Sequence, residues 1–150
     1  MYKVEAFKTG ESFHRVATDT IPDDLLKNDN DDRHWFIPSI VNMALACELY
    51  MKSLASDGTK EIKGHPWTDL FGQIPETIQN EIYSSPYFKG DEAFKEKLEE
   101  GGKIYTTWRY HFEKELHPSV NLVFLEQFAL VLHDLAKREC KKSIRYFDPI

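Results

Sequence analysis

A chain of 150 residues, 41% of them hydrophobic, 13% aromatic and 29% charged, has the make-up of one folded domain, because that length buries roughly two-thirds of the surface exposed by the unfolded form; this excludes a disordered polypeptide. The formal net charge of −6 repels phosphate backbones at long range, which excludes a nucleic-acid binder that works by overall charge and leaves only a local basic patch for that role. The longest apolar stretches, near Val41 and Leu122, are broken by Glu48, Glu126 and Asp134, which excludes a membrane span, and Met1 to Gly10, carrying Lys3, Glu5 and Lys8, lacks the apolar core of a secretory signal.

In chain order, Phe7, Phe13 and Val16 predict a first helix over Val4–Ala17, weakened in its middle by Gly10. Pro22 opens a short helical turn through Leu25 and Leu26. The run Asn28-Asp29-Asn30-Asp31-Asp32 has neither the glycine nor the distal glutamate of a calcium loop, so it reads as a connection in which Asp31 or Asp32 caps the next helix. That helix is expected from Trp35 to Ala55, with Ile37, Ile40, Val41, Ala44, Leu45, Leu49 and Leu54 forming a broad apolar surface. Cys47 lies within its apolar run Met43–Tyr50 and far in sequence from Cys140. Both read as reduced thiols, Cys47 as a small buried hydrophobe, in a cytoplasmic protein.

A polar loop over Thr59–Gly64 precedes a short helix, Pro66–Phe71, that ends at Gly72. Pro75 starts another, with Ile78 and Ile82 on one face, which stops before Pro86. From Asp91 to Glu115 the residues Phe94, Leu98, Ile104, Tyr105, Trp108 and Phe112 recur at helical intervals, and Gly101-Gly102 is expected to bend or interrupt the helix. Pro118 ends it. Ser119 is the expected cap of the last helix, whose stripe comprises Leu122, Val123, Leu125, Phe128, Ala129, Leu132, Leu135 and Ala136. Strand signals are missing. The chain is therefore predicted to be all-α: one domain over residues 1–150, an up-and-down bundle of four long helices with short cross-helices.

Polar residues on apolar faces are where chemistry is sought. Glu48 continues the stripe of the central helix and needs a partner there. Lys52, one turn later, offers a half-exposed ion pair worth about 0.3–0.5 kcal/mol. The alternative partner is Arg109, set in the sequence Trp108-Arg109-Tyr110-His111-Phe112-Glu113, with Glu113 one turn on to complete a buried network. The histidines His14, His34, His65, His111, His117 and His133 do not form a metal set by spacing, since His111 with Glu115 gives only two ligands. No Gly-rich phosphate loop, nucleophile elbow or cysteine pair in metal spacing is present, so neither a metal nor another cofactor is expected. Lys137, Arg138, Lys141, Lys142 and Arg145 form the one basic cluster, which also suits the negative end of a helix dipole.

Three segments carry a family resemblance. Ala44, followed by Cys47-Glu48-Leu49-Tyr50-Met51-Lys52-Ser53-Leu54, then Gly64-His65-Pro66-Trp67-Thr68-Asp69-Leu70-Phe71, then Arg109-Tyr110-His111-Phe112-Glu113, resemble in order and separation the HEPN superfamily of small prokaryotic helical domains. The resemblance runs from about residue 35 to 135. It implies a bundle that dimerises, in a family where many members are metal-independent endoribonucleases of toxin–antitoxin, antiphage or stress systems and others bind nucleotides. The nucleases pair an arginine with a histidine after roughly four to six intervening residues, the arginine stabilising charge and the histidine moving a proton. Here Arg109 and His117 are separated by seven residues, Arg109 and His111 by one, and Arg33-His34 are adjacent. The expectation is thus a non-catalytic binding and dimerisation module, a homodimer associated with nucleotide or RNA and with an antitoxin-like protein partner. Glu48, Lys52, His65, Arg109, Tyr110 and Glu113 would form its polar seam. The alternative is a divergent endoribonuclease using Arg109 with His111 or His117.

Overall fold

The longest apolar-periodic stretches become the longest helices. The computed structural model describes residues 1–20, 33–104 and 121–147, and within these the regular structure is helical with no strand: α1 (Tyr2–Thr20), α2 (Arg33–Ala55), α3 (Trp67–Gln73), α4 (Glu76–Tyr83), α5 (Phe94–Gly102) and α6 (Leu122–Phe147). The turn at Pro22, the loop Asn28–Asp32, the cap at Asp31 or Asp32, and the part of the expected helix beyond Ile104 lie outside the described residues.

α2 is the central element because its apolar residues cover most of its circumference. Ile40, Met43, Ala44, Cys47, Tyr50, Met51 and Leu54 are all buried. It packs against α1, α3, α5 and α6, while α1 also touches α6 and α4 rests on α6. Gly10 does not break α1, which runs through it. A side chain there would sit 3.0 Å from the Tyr50 ring and 3.2 Å from Leu49 Cβ. The glycine's unfavourable helix propensity is accepted in exchange for a close crossing of α1 over α2.

α1 is tied at its start by Lys3, which is buried although no spacing pattern singles it out. Its Nζ donates to the carbonyls of Ser53 (2.7 Å) and Ser56 (3.0 Å). These carbonyls lie at the C-terminal end of α2, where the helix dipole favours a cation. Both cysteines are free and buried.

The apolar stripe of α6 is narrower than its sequence suggests. Phe124, Leu125, Phe128, Ala129, Leu132 and Ala136 are buried, whereas Val123 is 64% exposed; Val16 of α1 likewise turns outward. Ser119 lies outside the described residues, and it is Asn121 Oδ1 that accepts the Phe124 N–H at 2.9 Å and caps α6.

The expected interruption at Gly101-Gly102 is seen as the end of α5, capped by Lys103. Its physical reason is contact as well as backbone freedom. A Cβ on Gly101 would lie 2.3 Å from Trp67 Cζ3, and one on Gly102 would lie 3.0 Å from the Trp67 backbone nitrogen. The Trp67 indole thus lies directly over the two glycines, and its other neighbours include Phe128, 5.6 Å between ring centroids. Phe71, Phe88, Phe94 and Phe124 continue this aromatic cluster at centroid separations of 5.5–5.7 Å, closing to 5.2 Å for Phe88 with Phe94. These rings are consumed by the core.

Candidate functional site

Glu48 is carried on α2 at a position flanked by core residues, so its carboxylate is taken nearly out of water. Lys52, one helical turn on, places Nζ 3.1 Å from Glu48 Oε1. The two side chains are only 11% and 13% exposed, so the half-exposed pair expected from the sequence is corrected to a largely buried one. A loop then folds back over this face. Gly64 adopts φ +110°, a conformation that other residues reach only with strain, and His65 follows it with Nδ1 2.8 Å from the same Oε1.

The structure thus brings Glu48, Lys52 and His65 together. Arg109, Tyr110, His111, Glu113 and His117 lie outside the described residues, and with them the expected Glu48–Arg109 contact and the His111–Glu115 pair. Both contacts to Glu48 fall on Oε1; Oε2 has no hydrogen-bond partner among the described residues. A carboxylate accepts and does not donate, so His65 presents Nδ1–H to Glu48. Nε2 is then the outward nitrogen of a ring whose side chain is 85% exposed. The arrangement holds an accessible imidazole in a fixed tautomer beside an ammonium, and the Nε2 of the neutral ring is an acceptor suited to a ligand that donates a hydrogen bond.

A second polar centre was not found by sequence reasoning. Three helices meet around Tyr50, which is fully buried. His14 of α1 lies with Nδ1 2.9 Å from the Tyr50 hydroxyl. His133 of α6 has Nε2 2.9 Å from Glu11 Oε2 and Nδ1 3.1 Å from Asp134 Oδ1. The imidazoles of His14 and His133 stand edge to face with centroids 5.9 Å apart. Burial, and after it the proximity of His133, holds the His14 imidazole below its usual range, with Glu11 opposing. Burial, followed by the charge of Glu11, pushes the Tyr50 phenol well above its usual value. The only sequence signal for this centre was Glu11 and His14 at i,i+3 on one helix face, which is too common to single out.

Two cations of the basic cluster on α6 are paired with carboxylates. Arg138 pairs with Glu81 of α4 at 2.7 Å and with Glu139 at 2.9 Å, and Lys142 reaches Glu139 at 3.1 Å. Lys137 and Lys141 are exposed, and the side chain of Arg145 lies outside the described residues. Among the described residues no three His, Cys, Asp or Glu side chains are grouped to hold a metal ion, and no helix is long and apolar enough to cross a membrane. Comparison of the chain with protein-family models, curated proteins and solved structures gives no match.

Proposed function

We propose that the chain is a HEPN-like domain, an up-and-down bundle of four long helices that acts as a non-catalytic binding and dimerisation module for nucleotide or RNA. Its setting would be bacterial defence, toxin–antitoxin pairing or stress, with an antitoxin-like protein as a further partner. The observation that carries this reading is the Glu48–His65 bond at 2.8 Å. It joins two segments on which the resemblance rests, Cys47–Leu54 and Gly64–Phe71, through the polar residues that distinguish them. Oε2 of Glu48, which has no partner among the described residues, is the position that an arginine fork from Arg109 would fill, completing a seam with Glu113.

Purified full-length protein incubated with total RNA in chelator, beside Arg109→Ala and His111→Ala, tests the reading. The expected result is retention of RNA or a labelled nucleotide in a filter assay without cleavage, and a dimer mass by light scattering. Cleavage by the parent that both variants lose would replace the module with an endoribonuclease using Arg109 and His111. A monomer that retains neither RNA nor nucleotide would remove the proposal altogether.

A further inference from the structure

Charged and titratable side chains are expensive to enclose, and a group of them between packed helices needs every proton in place. Around Tyr50 the groups that face His14 come from all three helices in contact there: Glu11 from α1, the Tyr50 hydroxyl from α2, and His133 with Asp134 from α6. Phe7 closes the apolar side, 5.5 Å from His133 and 5.9 Å from Tyr50 between centroids.

The bonds fix the protons. Both nitrogens of His133 lie within hydrogen-bond distance of carboxylate oxygens. His14 is largely taken out of water beside that ring, so its neutral form is favoured, with Nδ1 accepting the Tyr50 O–H. Tyr50 keeps this proton because its phenolate would be buried beside Glu11.

We propose that Glu11, His14, Tyr50 and His133 form an acid-sensitive latch that holds the C-terminal half of α1 on α2 and α6 and releases it when His14 takes up a proton. A proton on Nδ1 turns the acceptor into a donor facing the Tyr50 hydroxyl. The phenol hydrogen must then turn away from its hydrogen-bond partner, His14 Nδ1. The same proton places a positive charge on a ring whose centroid lies 5.9 Å from that of His133, and Glu11, the nearby carboxylate, is already engaged by His133. The first turn of α1 does not share this dependence. It is held by the Lys3 ammonium on two backbone carbonyls and by Tyr2 donating to the Ile62 carbonyl at 3.1 Å. Gly10 lies between the two anchorages, where α1 crosses closely over Tyr50 and Leu49.

The sign follows from the His14 shift. Its folded-state value lies below that of the unfolded chain, so the latch contributes fully above the ordinary histidine range and is lost as the pH falls through it. This inference does not depend on the proposed function, and its test involves no RNA.

Hydrogen exchange read by mass spectrometry on the full chain, with protection factors corrected for intrinsic rates, compares about pH 7.5 with about pH 5.5. Protection over residues 11–20 is expected to fall about ten-fold or more at the lower pH, with a smaller change over 2–10. His14→Asn, which keeps an acceptor near Nδ1 but does not titrate, is expected to remove the difference. Protection over 11–20 that is independent of pH, or a loss that persists in His14→Asn, overturns the latch. If that variant does not fold, the His14 imidazole is titrated by NMR in the parent. A midpoint below the usual histidine value that coincides with loss of the His14–Tyr50 contact supports the latch, and any other midpoint overturns it.

Discussion

Replacing Glu48 by alanine removes a carboxylate oxygen that receives Lys52 Nζ at 3.1 Å and His65 Nδ1 at 2.8 Å. The two losses differ in cost. The His65 ring, 85% exposed, exchanges its partner for water at little expense. Lys52, 13% exposed, is left as a largely buried charge without a counter-ion. Breaking a fully buried pair this way costs about 3–5 kcal/mol, but the flexible lysine stem lets its ammonium reach toward solvent, which reduces the figure to about 2 kcal/mol. Glu48→Gln keeps an acceptor of the same shape and gives up only the charge, so about half that loss is expected. Urea unfolding followed by circular dichroism measures both. Lys52→Met in the Glu48→Ala background is expected to recover about 1 kcal/mol or more of the loss, because it removes the stranded charge. A Glu48→Ala protein whose unfolding midpoint is unchanged, or a double variant with no recovery, would refute the description of this carboxylate as a buried structural anchor.

Other expectations concern packing and titration. Gly101→Ala drives a methyl into the Trp67 indole, 2.3 Å from Cζ3, and is expected to destabilise by about 1–3 kcal/mol with a shifted tryptophan fluorescence maximum. Gly72→Ala, which meets nothing within 4 Å, should be neutral or stabilising by about 0.5 kcal/mol, and equal losses in the two variants would contradict the contact argument. Burial pushes the thiols of Cys47 and Cys140 upward, so the unfolded chain releases these protons first. The stability they supply is complete below about pH 8.5 and is lost above it. Burial of Lys3 lowers its value and acts in the opposite sense. Two thiols against one ammonium, with the raised Tyr50 phenol acting in the same sense as the thiols, leave a net loss of stability as the pH rises past about 9. Urea midpoints that rise between about pH 8 and 9.5 would reject this balance, and Cys47→Ala should flatten the slope.

What the sequence could disclose was whatever repeats with the helix. Ile40, Ala44 and Leu54 on α2, and Leu125, Phe128, Ala129, Leu132 and Ala136 on α6, are buried as their spacing predicts. Spacing names a face but not its width, which is why Val16 and Val123 were assigned to the stripe and yet point outward. Glu48 and Lys52 were legible because i,i+4 is a geometric relation fixed by the helix itself. His65 was not legible in that way. It reaches Glu48 across 17 residues through a loop whose course depends on Gly64, and only the family resemblance singled it out. The Tyr50 centre was wholly hidden, since His14 and His133 reach their partners across 36 and 122 residues and no local pattern encodes that meeting. Glycines misled for a related reason. Gly10, Gly101 and Gly102 read as weak points of helices, while their neighbours show that space for Tyr50 and Trp67 is what each one provides.

The two polar centres share α2 without sharing a face. Glu48 and Tyr50 are two residues apart, about 200° around an α-helix, so one looks toward the Gly64-His65 loop while the other looks toward α1 and α6. Between them lies a core of buried side chains, including Met51 and Leu54. A rigid helix with a packed interior transmits a displacement rather than absorbing it, but the bonds on either face close independently of the other. Acid release of α1 should therefore leave the Glu48–Lys52–His65 contacts in place. Ligand retention at His65 that disappears together with α1 protection would mean that α2 itself moves. Retention that survives release would mean that the latch controls what α1 covers and not the site on the opposite face.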